Sequence, residues 1–449
     1  MFAAIVMAVF GIDDLAVDCI YFCRRGWRRL TVYSRHRRAS AATLPPPARP
    51  GRIAIIIPAW DEAAVIGDML RALLNRLRHD DYAVFVGVYP NDPATMAAVR
   101  AVDDSRIIMA VTARDGPTTK ADCLNRLWRA VLVEELRAAR PFKAIVMHDA
   151  EDVVHSMELY VVDRLIERCD MIQFPVLPIP DPRSRWISGH YLDEFAESHG
   201  KELVVREALG AAMPSAGVGC AISRAMLDKV ALANGGNPFN PASLTEDYEL
   251  GIRIGMLGGK GILARVPGDD GRMTIATHEH FHATLEEAVR QKTRWLTGIV
   301  IHGWDRLGWH DSLAESWMRL RDRKSLLAAA ATLAAYMGAI GGMLVNISAA
   351  ARPDIRHVDV LPLDGLWPWL FWFNGLTLSW RLAMRFVFTS RSYGLAEGLR
   401  AVPRAFVANM IMVLASLRVL RNALRMIGSH APIEWQKTRH RFPTVLPGE

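Results

Sequence analysis

Three clusters of acidic and cationic side chains follow one another along this 449-residue chain. Asp149-Ala150-Glu151-Asp152 closes an apolar run, Thr245-Glu246-Asp247 opens a helical pattern, and Gln291-Lys292-Thr293-Arg294-Trp295 comes last. Carboxylates just after a strand can hold a hard divalent cation, Mg2+ or Mn2+, on a diphosphate. A carboxylate at a helix start can take the proton of an acceptor hydroxyl. Gln291, Arg294 and Trp295 recur at i, i+3 and i+4 and so share a helix face. There a guanidinium can neutralise a departing diphosphate and an indole can stack on a sugar. Together these are the parts for moving a sugar from a nucleotide to a hydroxyl. Each cluster also has a plainer use: a polar turn or cap for the acidic pair, and an amphipathic helix nearing a membrane for the third. Lys120 to Asn125 opens another helix, where a lysine and backbone amides could meet a nucleotide or simply face solvent. His278, His280 and His282 alternate as strand-borne metal ligands do. They lack obvious further ligands, and an acceptor-channel loop suits them better.

The elements that must position these residues alternate. Thr43 to Arg52, with Pro45 to Pro47 and Pro50, reads as a linker. Ile53 to Ile57 is a continuous β-branched run, the pattern of a buried parallel strand. Helical periodicity over 62–77, a strand over 84–89, a helix over 94–102 and a strand over 107–111 follow. A long helix over 120–140 leads to a fourth strand over 144–148. This alternation predicts a doubly wound α/β sheet whose ligands sit beyond the carboxyl ends of the strands, where Asp61, Asp92 and Asp149 fall. No GxGxxG or GxxxxGK[ST] occurs there, which argues against dehydrogenases and P-loop nucleotide hydrolases. Val218 to Ile222, with Gly217 and Gly219, suits either close backbone approach to an acceptor or a tight turn.

Hydrophobic residues make up 51% of the chain and the mean hydropathy is +0.11, which points to membrane contact. A net charge of +7 and a pI near 9.3 suit anionic lipid better than nucleic acid, because the basic residues cluster beside apolar segments. Five scattered cysteines without a CxxC pair suit a reducing cytoplasm. Residues 1–23 read as a membrane helix rather than a cleaved signal, since their positive charges follow the apolar part. Asp13, Asp14 and Asp18 are costly there unless basic residues of later helices pair with them. A basic linker occupies 24–51, the catalytic domain 52–304 and a connecting segment 305–324. Membrane helices are expected over 325–348 and 366–389, the second anchored by Trp367, Trp369, Trp372 and Trp380. Residues 405–426 read as an interfacial or re-entrant helix, because the uncharged stretch to Leu417 is short for a span. A basic tail, 427–449, follows. The arginine-rich flanks put the large domain, the 391–404 segment and the tail in the cytoplasm, with 349–364 outside.

The order of these motifs resembles glycosyltransferase family 2. Ile56 to Glu62 is similar to its "IPAYNE" opening, Asp92 to Thr95 stands at its "DGST" stretch, and Lys120 to Asn125 resembles "KAxALN". Asp149 to Asp152 is similar to the metal-binding DxD, Thr245 to Asp247 to the TED box, and Gln291 to Trp295 is a full QxxRW. That last motif belongs to the membrane-bound, often processive branch with cellulose and hyaluronan synthases. Gly11 to Leu15, His148 to Val153 and Trp435 to Pro443 further resemble the phage adsorption protein B type of inner-membrane transferase. The family departs here at Pro93, in place of the "DGST" glycine, and at Glu151, where aspartate is common. The stop at Glu449 carries the expectation that the C-terminal regulatory domain of some relatives is absent.

The resemblance implies a GT-A-like domain catalysing inverting transfer from a nucleotide-sugar, UDP-linked, to a growing glycan or a lipid-linked acceptor. Pro58, Ala59, Trp60, Glu62, Asp92 and Lys120 would cradle the nucleotide. Asp149 with Glu151 or Asp152 would hold Mg2+ or Mn2+, and Asp247 would be the base. Glu246, Gln291, Arg294 and Trp295 would position acceptor and diphosphate. Membrane lipids and an export partner complete the expected partner set. The competing readings are a single-addition transferase on a lipid carrier and a non-catalytic membrane receptor or scaffold that keeps the fold.

Overall fold

Ile53-Ala54-Ile55-Ile56-Ile57-Pro58 is apolar at every position because it is covered on both sides. In the computed structural model, which describes residues 1–268, 274–351, 365–426 and 441–443, it forms strand β1 (Ile53–Pro58), every residue of it buried. Alternate side chains of a strand point to opposite faces, and here each face meets its own core. Ala54 and Ile56 pack with Leu124, Leu127 and Trp128 of the helix Lys120–Ala138. Ile53, Ile55 and Ile57 pack with Leu70 and Leu73 of the helix Ile66–Arg76 and with Val162 of the helix Glu158–Leu165.

The remaining strands are β2 (Tyr82–Val88), β3 (Ile107–Val111), β4 (Ala144–Met147), β5 (Met171–Gln173), β6 (Val176–Pro178), β7 (Cys220–Ser223), β8 (Gly261–Leu263) and β9 (Thr277–Glu279). The main sheet runs β3-β2-β1-β4-β7-β5-β8. Its first four strands are parallel, β7 is antiparallel to both neighbours, and β5 and β8 are parallel to each other. Strands β6 and β9 form a separate parallel pair. The register sets Met147 opposite Cys220. The loop entering β7, with Gly217 and Gly219, therefore arrives at the carboxyl end of β4, where Asp149 emerges. A parallel-dominated α/β sheet is thus observed as expected, with one reversed strand that the apolar pattern did not distinguish.

Among the described residues two helices are long and apolar enough to cross a membrane by length and composition, Ser325–Ala351 and Leu395–Leu424. The first agrees with the expected 325–348 segment. The second differs from expectation: one helix, Leu395–Met426, continues through Pro403, so the 405–426 segment is the later part of a much longer element. Its buried residues, Ala401, Arg404, Ile411, Ala415 and Val419, recur at helical spacing. Ile411, Ala415 and Val419 pack on Ala288, Val289 and Leu296 of the helix Leu285–Leu296. The helix Trp367–Tyr393 covers the 366–389 segment but is not apolar enough to join these two. Gly338 and Gly341 face open space. The loop over 349–364 and the tail motif from Trp435 lie largely outside the described residues; of the tail, Phe442 packs on the second core.

The N-terminal helix, Phe2–Thr31, runs on through the basic stretch at Arg24 to Arg29, so the expected linker begins later. Its aspartates find the partners that their cost demands. Asp13 accepts from Trp317 Nε1 at 2.6 Å and Lys324 at 2.5 Å, and pairs with Arg321. Asp14 meets Arg321 at 3.2 Å and Lys324 at 2.9 Å and also pairs with Arg381. Asp18 meets Lys201 at 2.6 Å and Trp380 Nε1 at 2.7 Å. The long C-terminal helix is tied down in the same way. Arg404, fully buried, forks onto Asp193 at 2.6 and 3.0 Å, and Arg385 reaches the same carboxylate at 3.1 Å. Removing one partner of a buried ion pair leaves the other uncompensated, at a cost of about 3–5 kcal/mol. Asp193→Ala should therefore lower the melting temperature of the detergent-purified chain by several degrees. An unchanged melting temperature would contradict this role for the pair.

Candidate active site

The three clusters converge on Lys120. It is the first residue of the helix Lys120–Ala138, whose start is capped by Thr119, with Asp122 returning the bond. Its Nζ lies 2.6 Å from Asp149 Oδ1 and 2.9 Å from Oδ2. Burial opposes its charge, but Asp149, Glu246 and Asp247 outweigh burial and raise its pKa above the ordinary lysine value. Lys120 is thus a single ammonium shared by carboxylates from the DxD-like turn and the TED box.

The turn after β4 is braced from behind. His148 is buried, with Nδ1 2.8 Å from Asp152 Oδ2 and Nε2 2.7 Å from Glu158 Oε1. Burial works against protonation, yet the two carboxylates, Glu158 foremost, raise its pKa to about 10. Both ring nitrogens then donate. Asp152 Oδ2 also accepts the amide of Asp149 at 3.0 Å, while its Oδ1 is buried without a hydrogen-bond partner. Asp152 is thereby drawn inward as a brace, Asp149 is partly exposed beside Lys120, and Glu151 is buried. Glu279 from β9 faces the same turn: burial and the charges of Asp152, Glu151 and Asp149 hold its pKa well above the usual carboxylate range. Among the described residues no group of three or more His, Cys, Asp or Glu side chains is arranged to hold a metal ion. The hard oxygen donors and the bare Asp152 Oδ1 nonetheless match the chemistry of Mg2+ or Mn2+.

The TED box opens the helix Glu246–Met256. Glu246 is buried, and burial together with Asp247 raises its pKa to about 7 against the pull of Lys120 and Arg294. Asp247 is also raised, chiefly by burial. Two glycines make room for this segment. A Cβ on Gly217, at φ +81°, would stand 2.5 Å from Asp247 Oδ2, and one on Gly298 would stand 2.5 Å from Thr245 Oγ1. Gly217 thus gives close approach, but to the carboxylate of the TED box. Gly298 lies in the π-helical turn Thr297–His302 just after QxxRW, so the Thr245 side chain packs against the backbone that follows that motif.

On the QxxRW helix, Arg294 acts electrostatically on both Glu246 and Asp247. Trp295 meets Tyr191 edge-on at 6.2 Å, and Lys292 Nζ lies 4.4 Å over the indole while bonding Glu194 at 2.5 and 2.6 Å. Tyr191 stacks on Phe281 at 4.5 Å. Gln291 Oε1 is buried without a partner.

The expected nucleotide cradle is built differently from residue to residue. Pro58 and Ala59 are buried, and Ala59 N–H donates to Gly87 O at 2.8 Å. Trp60, half-buried, stands edge-on to Tyr89 at 4.9 Å. Asp92 accepts the amides of Asp61 at 2.6 Å and Thr95 at 3.2 Å, and Thr95 Oγ1 accepts the amide of Glu62 at 2.9 Å. Asp92 thus shapes the loop after β1 and caps the helix Pro93–Arg100. His278 is held in a bridge to Val153, and burial lowers its pKa to about 4. Glu279, Tyr191, His148 and Gly298 carry no motif by themselves; Glu279 was hidden between alternating histidines.

The sequence model of the family described as "Glycosyltransferase like family 2" matches residues 50–298. The chain belongs to glycosyltransferase family 2. This family-2 chain is 37% identical, over 465 aligned positions, to bacteriophage adsorption protein B of Escherichia coli strain K12 and to bacteriophage N4 adsorption protein B of Escherichia coli O157:H7. The alignments cover 98% of this chain and 62% of each relative, so the chain spans about 62% of their length. A mannosyltransferase of Pyrobaculum calidifontis, PcManGT in complex with GDP-Man and Mn2+, superposes with a TM-score of 0.51 at 14% identity, over 94% of this chain and 99% of that one. At that identity the likeness is one of fold, and it bears out the GT-A-like architecture.

The raised pKa of Glu246 has a consequence for stability. Between pH 4.5 and about 7 the folded chain keeps a proton on Glu246 that the unfolded chain has released, so this group lowers stability as pH rises through that window. The melting temperature of Glu246→Gln should fall less steeply than that of the wild type across this range. Parallel slopes would contradict the assignment.

Proposed function

We propose that this chain is a membrane-embedded, inverting transferase that moves a sugar from a nucleotide-sugar, UDP-linked, to a growing polysaccharide. The observation that carries the reading is the meeting of Lys120, Asp149, Glu246, Asp247 and Arg294 near the end of β4, from four separate stretches of chain. Asp247 is the base: burial raises its pKa above the ordinary carboxylate value, as suits a proton acceptor, while Lys120 and Arg294 pull against that rise. It would take the acceptor proton as the hydroxyl oxygen attacks the anomeric carbon and the bond to the diphosphate breaks. Glu246, whose pKa lies near neutrality, orients the acceptor. Arg294 and Lys120 then receive the negative charge that develops on the leaving diphosphate.

Asp149 and Glu151 would hold a Mg2+ or Mn2+ ion, with Asp152 fixing the turn through His148; when bound, the ion neutralises diphosphate charge as a Lewis acid. Trp60 and the backbone at Pro58 and Ala59, with Glu62 and Asp92 shaping the loop, form the nucleotide wall. Trp295 and Gln291 face the acceptor. The domain assignment follows: residues 52–304 carry catalysis, and the long apolar helices, with the tryptophan-bearing helix Trp367–Tyr393, hold the chain to a bacterial inner membrane. The arginine-rich flanks put the catalytic domain on the cytoplasmic side. The bacteriophage adsorption relatives support a bacterial envelope setting, and the pairing of Asp13, Asp14 and Asp18 supports a membrane-inserted N-terminal helix.

Membranes bearing the wild-type chain should release UDP from one of a panel of UDP-sugars when supplied with Mg2+ or Mn2+. Asp247→Asn should lower that release by at least a hundredfold without changing the amount of folded protein, in the range of losses seen for general bases, roughly 10²–10⁴. Undiminished release by Asp247→Asn would remove it as the base. No release from any donor by the folded wild type, with acceptor lipids supplied, would overturn the transferase reading of this site in favour of a scaffold.

A further inference from the structure

A second concavity lies away from the candidate active site. Its volume is about 360 Å³, within the range of small-ligand sites. Its walls are the turn from Gly255 to Gly261, the loop at Gly210 to Ala212, Arg24 from the N-terminal helix, and the start of the helix Leu313–Arg323 with His310 before it. None of the motifs of the transfer reaction contributes to it.

The charge around this cavity is unbalanced. Behind it lie three buried guanidiniums, Arg206, Arg319 and Arg323, and two carboxylates, Glu315 and Asp322. Arg206 takes Asp322 at 2.8 Å, and Arg319 Nε takes Glu315 at 2.7 Å. Glu315 also accepts the amide of Ala212 at 2.7 Å. Arg323 rests instead on the rings of Trp304 and Trp309, 5.1 Å from each centroid. One positive charge is therefore left without a carboxylate among these residues.

Of this group Arg319 and its partner Glu315 line the cavity. Arg319 is 1% exposed, and its Nη2 has no hydrogen-bond partner. A buried donor left unmade costs about 1–3 kcal/mol, more on a charged group. At the rim stand Lys260 and His310, both exposed, and the half-buried Arg24. Ser312 caps the helix Leu313–Arg323, accepting the amide of Glu315 at 3.4 Å, and the helix start, with its partial positive charge, faces the same space. Glu207 also lines the cavity, and burial holds its pKa above the usual carboxylate value, which weakens its opposition to an anion.

We infer that this cavity binds a phosphate group, with Lys260, His310 and Arg24 meeting its oxygens at the rim and Arg319 supplying the charge behind them. Two sources share that chemistry: the headgroup of an anionic lipid and a soluble phosphate ester. Helix starts and arginines are the usual receivers of phosphate. The proposal does not depend on the chemistry assigned to Asp247.

The test uses the full chain purified in neutral detergent or in nanodiscs, with binding of glycerol 1-phosphate and of phosphatidic acid in phosphatidylcholine discs measured separately. The pocket variant is Lys260→Ala with His310→Ala, both exposed and so tolerated by the fold. The control is Arg25→Ala with Arg29→Ala, also exposed but outside the cavity. Binding of either probe that weakens at least tenfold in the pocket variant and not in the control supports the site, and which probe responds names the source. Binding of neither probe would overturn the proposal, as would equal weakening in both variants, which marks diffuse surface attraction. The melting temperature of each variant, measured without probe, separates lost binding from lost fold.

Discussion

The candidate site depends on one charge imbalance. Lys120 is a single buried ammonium facing Asp149, Glu246 and Asp247, and the surrounding sheet and helices exist in an arrangement that keeps these groups together. Like charges 4 Å apart repel by roughly 4 kcal/mol at protein-like dielectric. Without Lys120 and Arg294 the acidic residues could not all stay ionised. Burial first and Asp247 second raise Glu246 to about 7 against the pull of Lys120 and Arg294. A divalent cation carried by a nucleotide diphosphate would complete the balance, which links donor binding to the ionisation of the groups that must act on the acceptor.

That balance is held by backbone contacts. Gly217 and Gly298 each leave no room for a Cβ against the TED box, so the loop before β7 and the turn after QxxRW are pinned to the same segment. His148, clasped between Asp152 and Glu158, fixes the turn that presents Asp149. The reversed strand β7 brings the Gly217 loop to the end of β4, and the helix Leu395–Met426 packs on the back of the QxxRW helix. A helix long and apolar enough to cross a membrane is thereby in contact with the helix whose residues are proposed to grip the acceptor.

Much of this was legible in the sequence, for identifiable reasons. The β-branched run at Ile53 to Ile57 is apolar on both faces, and only a strand covered on both sides tolerates that. The three acidic and cationic clusters were legible because their residue types serve few other purposes in that order. What was hidden depends on distant contacts. Asp152 reads as a metal ligand, and nothing in the sequence says that His148 turns back to claim one of its oxygens. The bonds by which Asp92 braces the amides of Asp61 and Thr95 were likewise not legible. The helix over 405–426 looked too short because its uncharged stretch ends at Leu417, before Arg418, whereas the helix runs on upstream through Arg404, which Asp193 and Glu397 neutralise. Tyr191 and Glu279 carry no local signal and enter the site through packing alone.

The central claim is that the acidic groups around Lys120 form a site completed by a cation and a nucleotide diphosphate. Calorimetric titration of the purified chain with UDP, with and without Mn2+, tests it most directly, with Asp149→Ala as the comparison. The account predicts binding that needs the metal and is lost in Asp149→Ala while the melting temperature is kept. Equally tight binding without a divalent ion, or by the variant, would contradict it.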